Sequence, residues 1–240
     1  MVRYIPHYMD QYNIGDVLCN PLLYFNIQSN RSVNVVGGGV WSQWYHQPNT
    51  IYWAPGKSIK DQPDTHVFPP DNLIASSRDI DSGIRHVPCV SVMNRIVDLP
   101  IGHHHSFIIG NDDTVGFNIP DKTFSVMWRP IRYMAQFEQT NRISTNSYHA
   151  AYWGLLSGRK VRLYGYSSKF TSLLKGFGFA GDEYVKYRKG SAESFLHALY
   201  TDIEWLEIDH RKYKSLYREI NLDFASDVQK LEEIDYCVTI

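Results

Sequence analysis

Two stretches place a titratable side chain where a β-prone run gives way to a helical one. In RISTNSYHAAYWGLL, the run Arg142 to Thr145 meets Asn146 and Ser147, and Tyr148 and His149 follow. With Asn146 as helix cap, Ser147, Tyr148 and His149 occupy a first turn whose unpaired N–H groups and positive dipole end make an anion site. An imidazole there can exchange a proton near neutral pH. The pattern equally fits a capping or internally satisfied histidine. In YNIGDVL, Gly15 permits a close backbone approach after Asn13. Asp16 either caps a helix or accepts a proton from a substrate hydroxyl. In IASSRDIDSG, Arg78 follows a strand directly, where a guanidinium can hold a carboxylate or phosphate in a bidentate fork. A surface Arg78–Asp79 pair is the plain alternative. VNVVGGGVW sets Gly38 and Gly39 after a β-run and permits backbone approach to a ligand, but it is neither GxGxxG nor a Walker loop.

Other clusters carry less. Adjacent strand positions face opposite sides, so His103–His105 cannot offer three nitrogens to one metal. Asp112-Asp113 sits in GNDD, a turn signal. Cys19, Cys89 and Cys237 are scattered and form no CxxC, so neither a disulfide framework nor a zinc site is expected, and a reducing compartment fits.

The elements that must position these residues read as α/β. Expected strands are Val2–Ile5, Val33–Val36, Thr50–Ala54, Leu73–Ser76 and Cys89–Met93, then Ser106–Ile109, Phe124–Met127, Arg142–Ser144 and Lys160–Tyr164. Ile14, Val17, Leu18, Leu22 and Phe25 recur at helical spacing, and a helix start fits either at Asp16 or at Asn20-Pro21. A helix is expected over Arg129 to Glu138 and another after Asn146, ended by Gly158. Strand–helix–strand order without hairpin signals implies parallel sheets. The expected organisation is two small Rossmann-like halves, 1–100 and 101–190, with helices over 191–240 packing across the sheets. Ala192, Phe195, Leu196, Leu199, Ile203 and Leu206 form one apolar stripe, and Tyr213, Leu216, Tyr217 and Ile220 another. Such stripes suit self-packing and a homo-oligomeric face alike.

Of 240 residues, 43% are hydrophobic and 20% charged, enough for a packed core. A net charge of −1 offers no basic face for nucleic acid, so any anion site is local. The opening MVRYIPHYMDQYN has no apolar h-region, and no run is long enough to span a membrane, so a cytoplasmic protein is expected. The 17 tyrosines and 6 tryptophans suit sugar-binding clefts as well as ordinary cores.

The order NIGD, GGG, SRD and TNSYHAAYWGLLSGRKV, with the later YSSKFTSLLKGFGF, resembles the polysaccharide pyruvyl transferase family over roughly residues 10 to 180. The resemblance implies a GT-B-like fold, phosphoenolpyruvate as donor substrate, no further cofactor and no metal, and a glycan acceptor from a surface polysaccharide or its precursor. It implies His149 as general acid and Asp16 as acceptor-side base. Arg78, Asn146, Ser147, Tyr148, Gly38 and Gly39 would hold the donor's negative groups, with Asn13 and Gly15 on the acceptor side. Where the family carries an arginine two residues before its histidine, this chain has Ser147, which leaves Arg78, Arg142 or Arg159 to supply the guanidinium. A glycosyltransferase taking a nucleotide sugar, and a non-catalytic glycan-binding protein, are the competing expectations.

Overall fold

The computed structural model describes residues 1–6, 13–39, 47–57, 72–110, 112–118, 124–125, 130–231 and 234–238. Tyr12, the stretch 40–46, Arg129 and the Val126–Met127 end of an expected strand lie outside the described residues.

The chain opens with β1 (Val2–Ile5), α1 (Ile14–Leu18), a 3-10 turn at Pro21–Leu23 and β2 (Phe25–Ser29). Next come β3 (Val33–Gly37), β4 (Thr50–Trp53) and β5 (Ile74–Ala75). Strands β1, β3, β4 and β5 lie side by side in that order, all parallel. Every residue of β3 and β4 is buried, as expected of parallel strands covered on both faces.

The second half contains β6 (His104–Ile109), α2 (Asp112–Val115), β7 (Phe124–Ser125), α3 (Pro130–Glu138), β8 (Thr140–Thr145), α4 (Tyr148–Leu156), β9 (Lys160–Gly165), α5 (Ser168–Gly176) and β10 (Val185–Lys186). These strands form a second parallel sheet in the order β10-β9-β8-β6-β7. The chain runs outward in both directions from β6 and β8, so their C-terminal ends flank the switch point where doubly wound sheets bind ligands. The architecture is thus α/β with two parallel sheets, consistent with two Rossmann-like halves. No described helix is long and apolar enough to cross a membrane.

Helix α4 sits at the centre. YHAAYWGLL is apolar nearly all round, and all nine residues are buried. Gly158 ends it with φ +80, a left-handed conformation open to glycine at little steric cost. Then come α6 (Ala192–Leu199), α7 (His210–Gln229) and β11 (Ile234–Val238). Tyr217 of α7 joins the core around α4, whereas Phe224, Ala225 and Val228 join the core beneath the first sheet. One long helix therefore completes both cores.

The structure corrects several expectations. Cys89–Met93 is not a strand: Val90–Met93 forms a 3-10 turn, because a short buried apolar run has no periodicity of its own to choose a conformation. The helical stripe through Phe25 breaks at Leu18, and Phe25 begins β2. Asn20 restarts the chain by accepting from the Leu22 N–H. Helix α6 stops at Leu199, and Leu206 instead pairs with Val161 at the edge of β9. The C-terminus is not helical throughout, because β11 pairs antiparallel with β2. The GNDD turn is a short helix, α2.

Asn221 on α7 joins the parts. Its Oδ1 accepts from Trp53 Nε1 at 2.8 Å, and its Nδ2 donates to Pro88 O at 3.1 Å and to Tyr217 O at 2.9 Å. Asn221→Leu strands a buried indole N–H and the Pro88 carbonyl, each costing about 1–3 kcal/mol. Urea denaturation should show the midpoint falling at unchanged slope.

Candidate functional site

The C-terminal ends of the two sheets bring the starts of α1 and α4 together. Asn13 caps α1, its side chain accepting from the Gly15 N–H at 2.8 Å. Asp16 is therefore a first-turn residue of α1 and not its cap. Gly15 lies directly against His149: a Cβ there would stand 2.1 Å from His149 Nδ1. The glycine is required because an imidazole occupies the space a side chain would need.

Ser147, not Asn146, caps α4, its Oγ accepting from the Ala150 N–H at 3.4 Å. Either residue suits a cap, but Asn146 is used elsewhere. Its Oδ1 accepts from the Gly110 N–H at 2.6 Å, and its Nδ2 donates to Thr114 Oγ1 and to the Tyr187 hydroxyl. Asn146 thus fills the switch point between β6 and β8. The Ser147 N–H donates to Thr145 Oγ1 at 2.9 Å. Two amides of this strand-to-helix turn are therefore already paired within the protein.

His149 is 7% exposed. Its ring lies between Tyr148 and Trp153, with centroids at 5.3 and 5.5 Å. Its Nε2 lies 3.0 Å from Cys19 Sγ and 3.9 Å from Cys89 Sγ, and the two sulfurs are 3.1 Å apart. Ser91 Oγ, which accepts from Trp153 Nε1, lies 3.1 Å from Cys89 Sγ. Burial pushes the Cys19 thiol well up. Burial acts on Cys89 in the same sense, but hydrogen bonds to Cys19 and His149 and the charge of Arg78 bring it well below the usual thiol range. Glycine gives this cluster its room: a Cβ on Gly38 would stand 2.3 Å from Cys19 Sγ, and one on Gly37 2.0 Å from Cys19 O. Gly39, at φ +73, turns the chain away. The GGG run accommodates Cys19.

Arg78 is different in kind. It is 4% exposed, and its Nε and Nη1 have no hydrogen-bond partner among the described residues. Its guanidinium lies over the Tyr148 ring, 4.1 Å from the centroid, and Gly56 packs against it. Burial opposes its charge, but Tyr148, Asp79 and the two thiols together raise its pKa, so it stays cationic. A narrow pocket little larger than a water lies beside it, lined by Arg78, His86, Tyr148, Tyr152 and Phe177. The other candidate arginines are committed: Arg159 donates to the carbonyls of Pro100, Phe137 and Thr140, and Arg142 stacks on Trp205.

Sequence reading passed over Lys169, in the first turn of α5. It is half-buried, donates to the Tyr166 hydroxyl at 2.7 Å, and has no described carboxylate within ion-pair distance. Burial first, then Arg78, push its pKa down to about 7, while Asp16 pulls the other way. Lys169 is thus within electrostatic reach of a second cation, Arg78, and of one carboxylate, Asp16. Sequence reading also missed that Cys19 and Cys89 meet at His149, since ligands from three separate elements leave no spacing signal.

The contact between the halves is testable. Gly15→Ala should cost about 1–3 kcal/mol through overpacking on the imidazole. Paired with His149→Ala, it should be less destabilising than the sum of the single changes, as read by a denaturation double-mutant cycle. No family model, curated protein or solved structure matches this chain.

Proposed function

We propose that the chain is a transferase acting on a surface polysaccharide or its precursor, with a small donor carrying both phosphate and carboxylate, phosphoenolpyruvate being the fitting case. The observation that carries this reading is Arg78, a buried guanidinium with two unpartnered nitrogens at the C-terminal end of a parallel sheet. Leaving such donors unpaired is costly, and a bidentate anion would satisfy them. Lys169 adds a second cation within electrostatic reach of Arg78. A dianion would offset both the desolvation and the mutual repulsion of the pair.

In the reaction a proton adds to C3 of the enol, and a sugar hydroxyl bonds to C2 and loses its proton. The bond from C2 to the phosphate oxygen breaks, phosphate leaves with the bonding electrons, and a second hydroxyl bonds to C2, its proton passing to the departing phosphate. Arg78 and Lys169 hold the donor's anionic groups. Asp16 on α1 takes the hydroxyl proton. Lys169, with a pKa near 7, is better suited to deliver the C3 proton than His149, whose Nε2 faces the thiols. His149 then acts as a positioning residue that sets α1 against α4.

Calorimetry with phosphoenolpyruvate, UDP-sugars and GDP-sugars side by side tests the reading. Phosphoenolpyruvate should bind, and Arg78→Gln should weaken it at least tenfold, the loss of a charge-assisted pair. Binding of a nucleotide sugar alone would replace this reading with glycosyl transfer. Binding of neither, with retention of a glycan, would make the protein a lectin. Sulfate, whose charge is constant between pH 5 and 9, isolates the protein's own titration. Its affinity should be highest below about pH 7 and fall as Lys169 loses its proton above that, and Lys169→Gln should flatten the profile.

A further inference from the structure

Three soft donor atoms converge at the junction of the two halves. Cys19 comes from the end of α1, Cys89 from the residue before the Val90–Met93 turn, and His149 from the first turn of α4. Their ligand atoms all lie within 4.8 Å of one another. All three residues are buried and both cysteines are free thiols. We propose that Cys19, Cys89 and His149 form a binding site for a thiophilic metal ion of the zinc type, clamping the first half of the chain to the second.

The argument rests on geometry and ligand chemistry. With Zn–S near 2.3 Å and Zn–N near 2.0–2.1 Å, a tetrahedral ion separates its sulfur ligands by roughly 3.8 Å and sulfur from nitrogen by roughly 3.5 Å. The observed edges are 3.1, 3.0 and 3.9 Å, so seating the ion needs shifts of about half an ångström. Thiolate and imidazole select zinc or copper(I) over magnesium and calcium. Two thiolates and a neutral imidazole, with a water as the fourth tetrahedral ligand, make a complex with no net charge around a divalent ion. Such a complex tolerates the apolar setting of Trp153 and Ile14 far better than an isolated charge would. Both sulfurs bind as thiolates, so binding is coupled to loss of thiol protons.

The surroundings are built to hold the ligands still. Gly15 and Gly38 press on His149 and Cys19 at distances no other residue permits. Ser91, itself held by Trp153, touches Cys89. Such outer contacts fix ligand orientation in metal sites. Arg78 and Lys169 supply no ligand to this site, although both thiols feel the charge of Arg78, and the proposal does not require the donor.

The test uses the full chain, stripped with chelator under reducing conditions and then titrated with cobalt(II) and zinc(II). One equivalent of cobalt should give a thiolate charge-transfer band and the intense visible bands of a tetrahedral ion. Zinc at a hundredfold over its Kd should raise Tm by about 5–10 °C. Cys19→Ser, Cys89→Ser and His149→Ala should each abolish the band and shrink the zinc-induced shift at least several-fold. Cys237→Ser should retain both. Each variant is compared with its own metal-free form, so lower intrinsic stability does not obscure the result. Absence of one-to-one binding, binding that survives the Cys19→Ser/Cys89→Ser double change, or a native Cys19–Cys89 disulfide seen by mass spectrometry would overturn the proposal. None of these outcomes bears on whether phosphoenolpyruvate binds at Arg78.

Discussion

The backbone of Gly15 against the ring of His149 is the contact on which the rest of this structure depends. It joins the helix after the first strand of one sheet to the helix after the third strand of the other. With α1 held there, Cys19 at its end meets Cys89 and the imidazole, and Asp16 comes within electrostatic reach of Lys169. Bulk at position 15 would separate the helices and disperse every one of these groups. The contact is a steric requirement first. The chemistry near it follows from how closely two backbones have been brought together.

Two buried arginines show how burial alone fails to mark function. Arg159 is 1% exposed and Arg78 4%. Arg159 gives its Nε and Nη2 to three backbone carbonyls and so fastens the connection before β6 to β8, with only Nη1 left unpartnered among the described residues, over the Phe137 ring. Arg78 rests on an aromatic face with two nitrogens unengaged. A folded chain bears such an arrangement only at a cost in stability. The difference lies in the partners, which Arg78's place after a strand, the ground for choosing it from the sequence, does not reveal.

Much of the frame was legible in the chain. Val33–Gly37 and Thr50–Trp53 are apolar or β-branched runs, and AAYWGLL followed by Gly158 announces a buried helix and its end. Asn146 and Ser147 are both good caps, and the choice between them was made by Gly110, forty residues or so away, so no local rule could settle it. The alternation of Ile234, Tyr236 and Val238 was a signal for β11 that the helical pattern before it obscured. The thiol–imidazole cluster left no trace, because its members are separated by 70 and 130 positions along the chain. Lys169 looks like an ordinary solvated lysine until the fold places Arg78 nearby.

The pairing of β2 with β11 has a kinetic consequence. Its partners stand roughly 200 residues apart, and Phe224, Ala225 and Val228 on the preceding helix fill the core under the first sheet. While the ribosome is still making the second half, the first half has its strands but neither that apolar cover nor the partner of β2. An emerging chain in that state carries an uncapped edge and exposed valines, the features that recruit holding chaperones. The core under the amino-terminal sheet is therefore complete only once the carboxy-terminal helix has been made and packed, although each half has a sheet of its own.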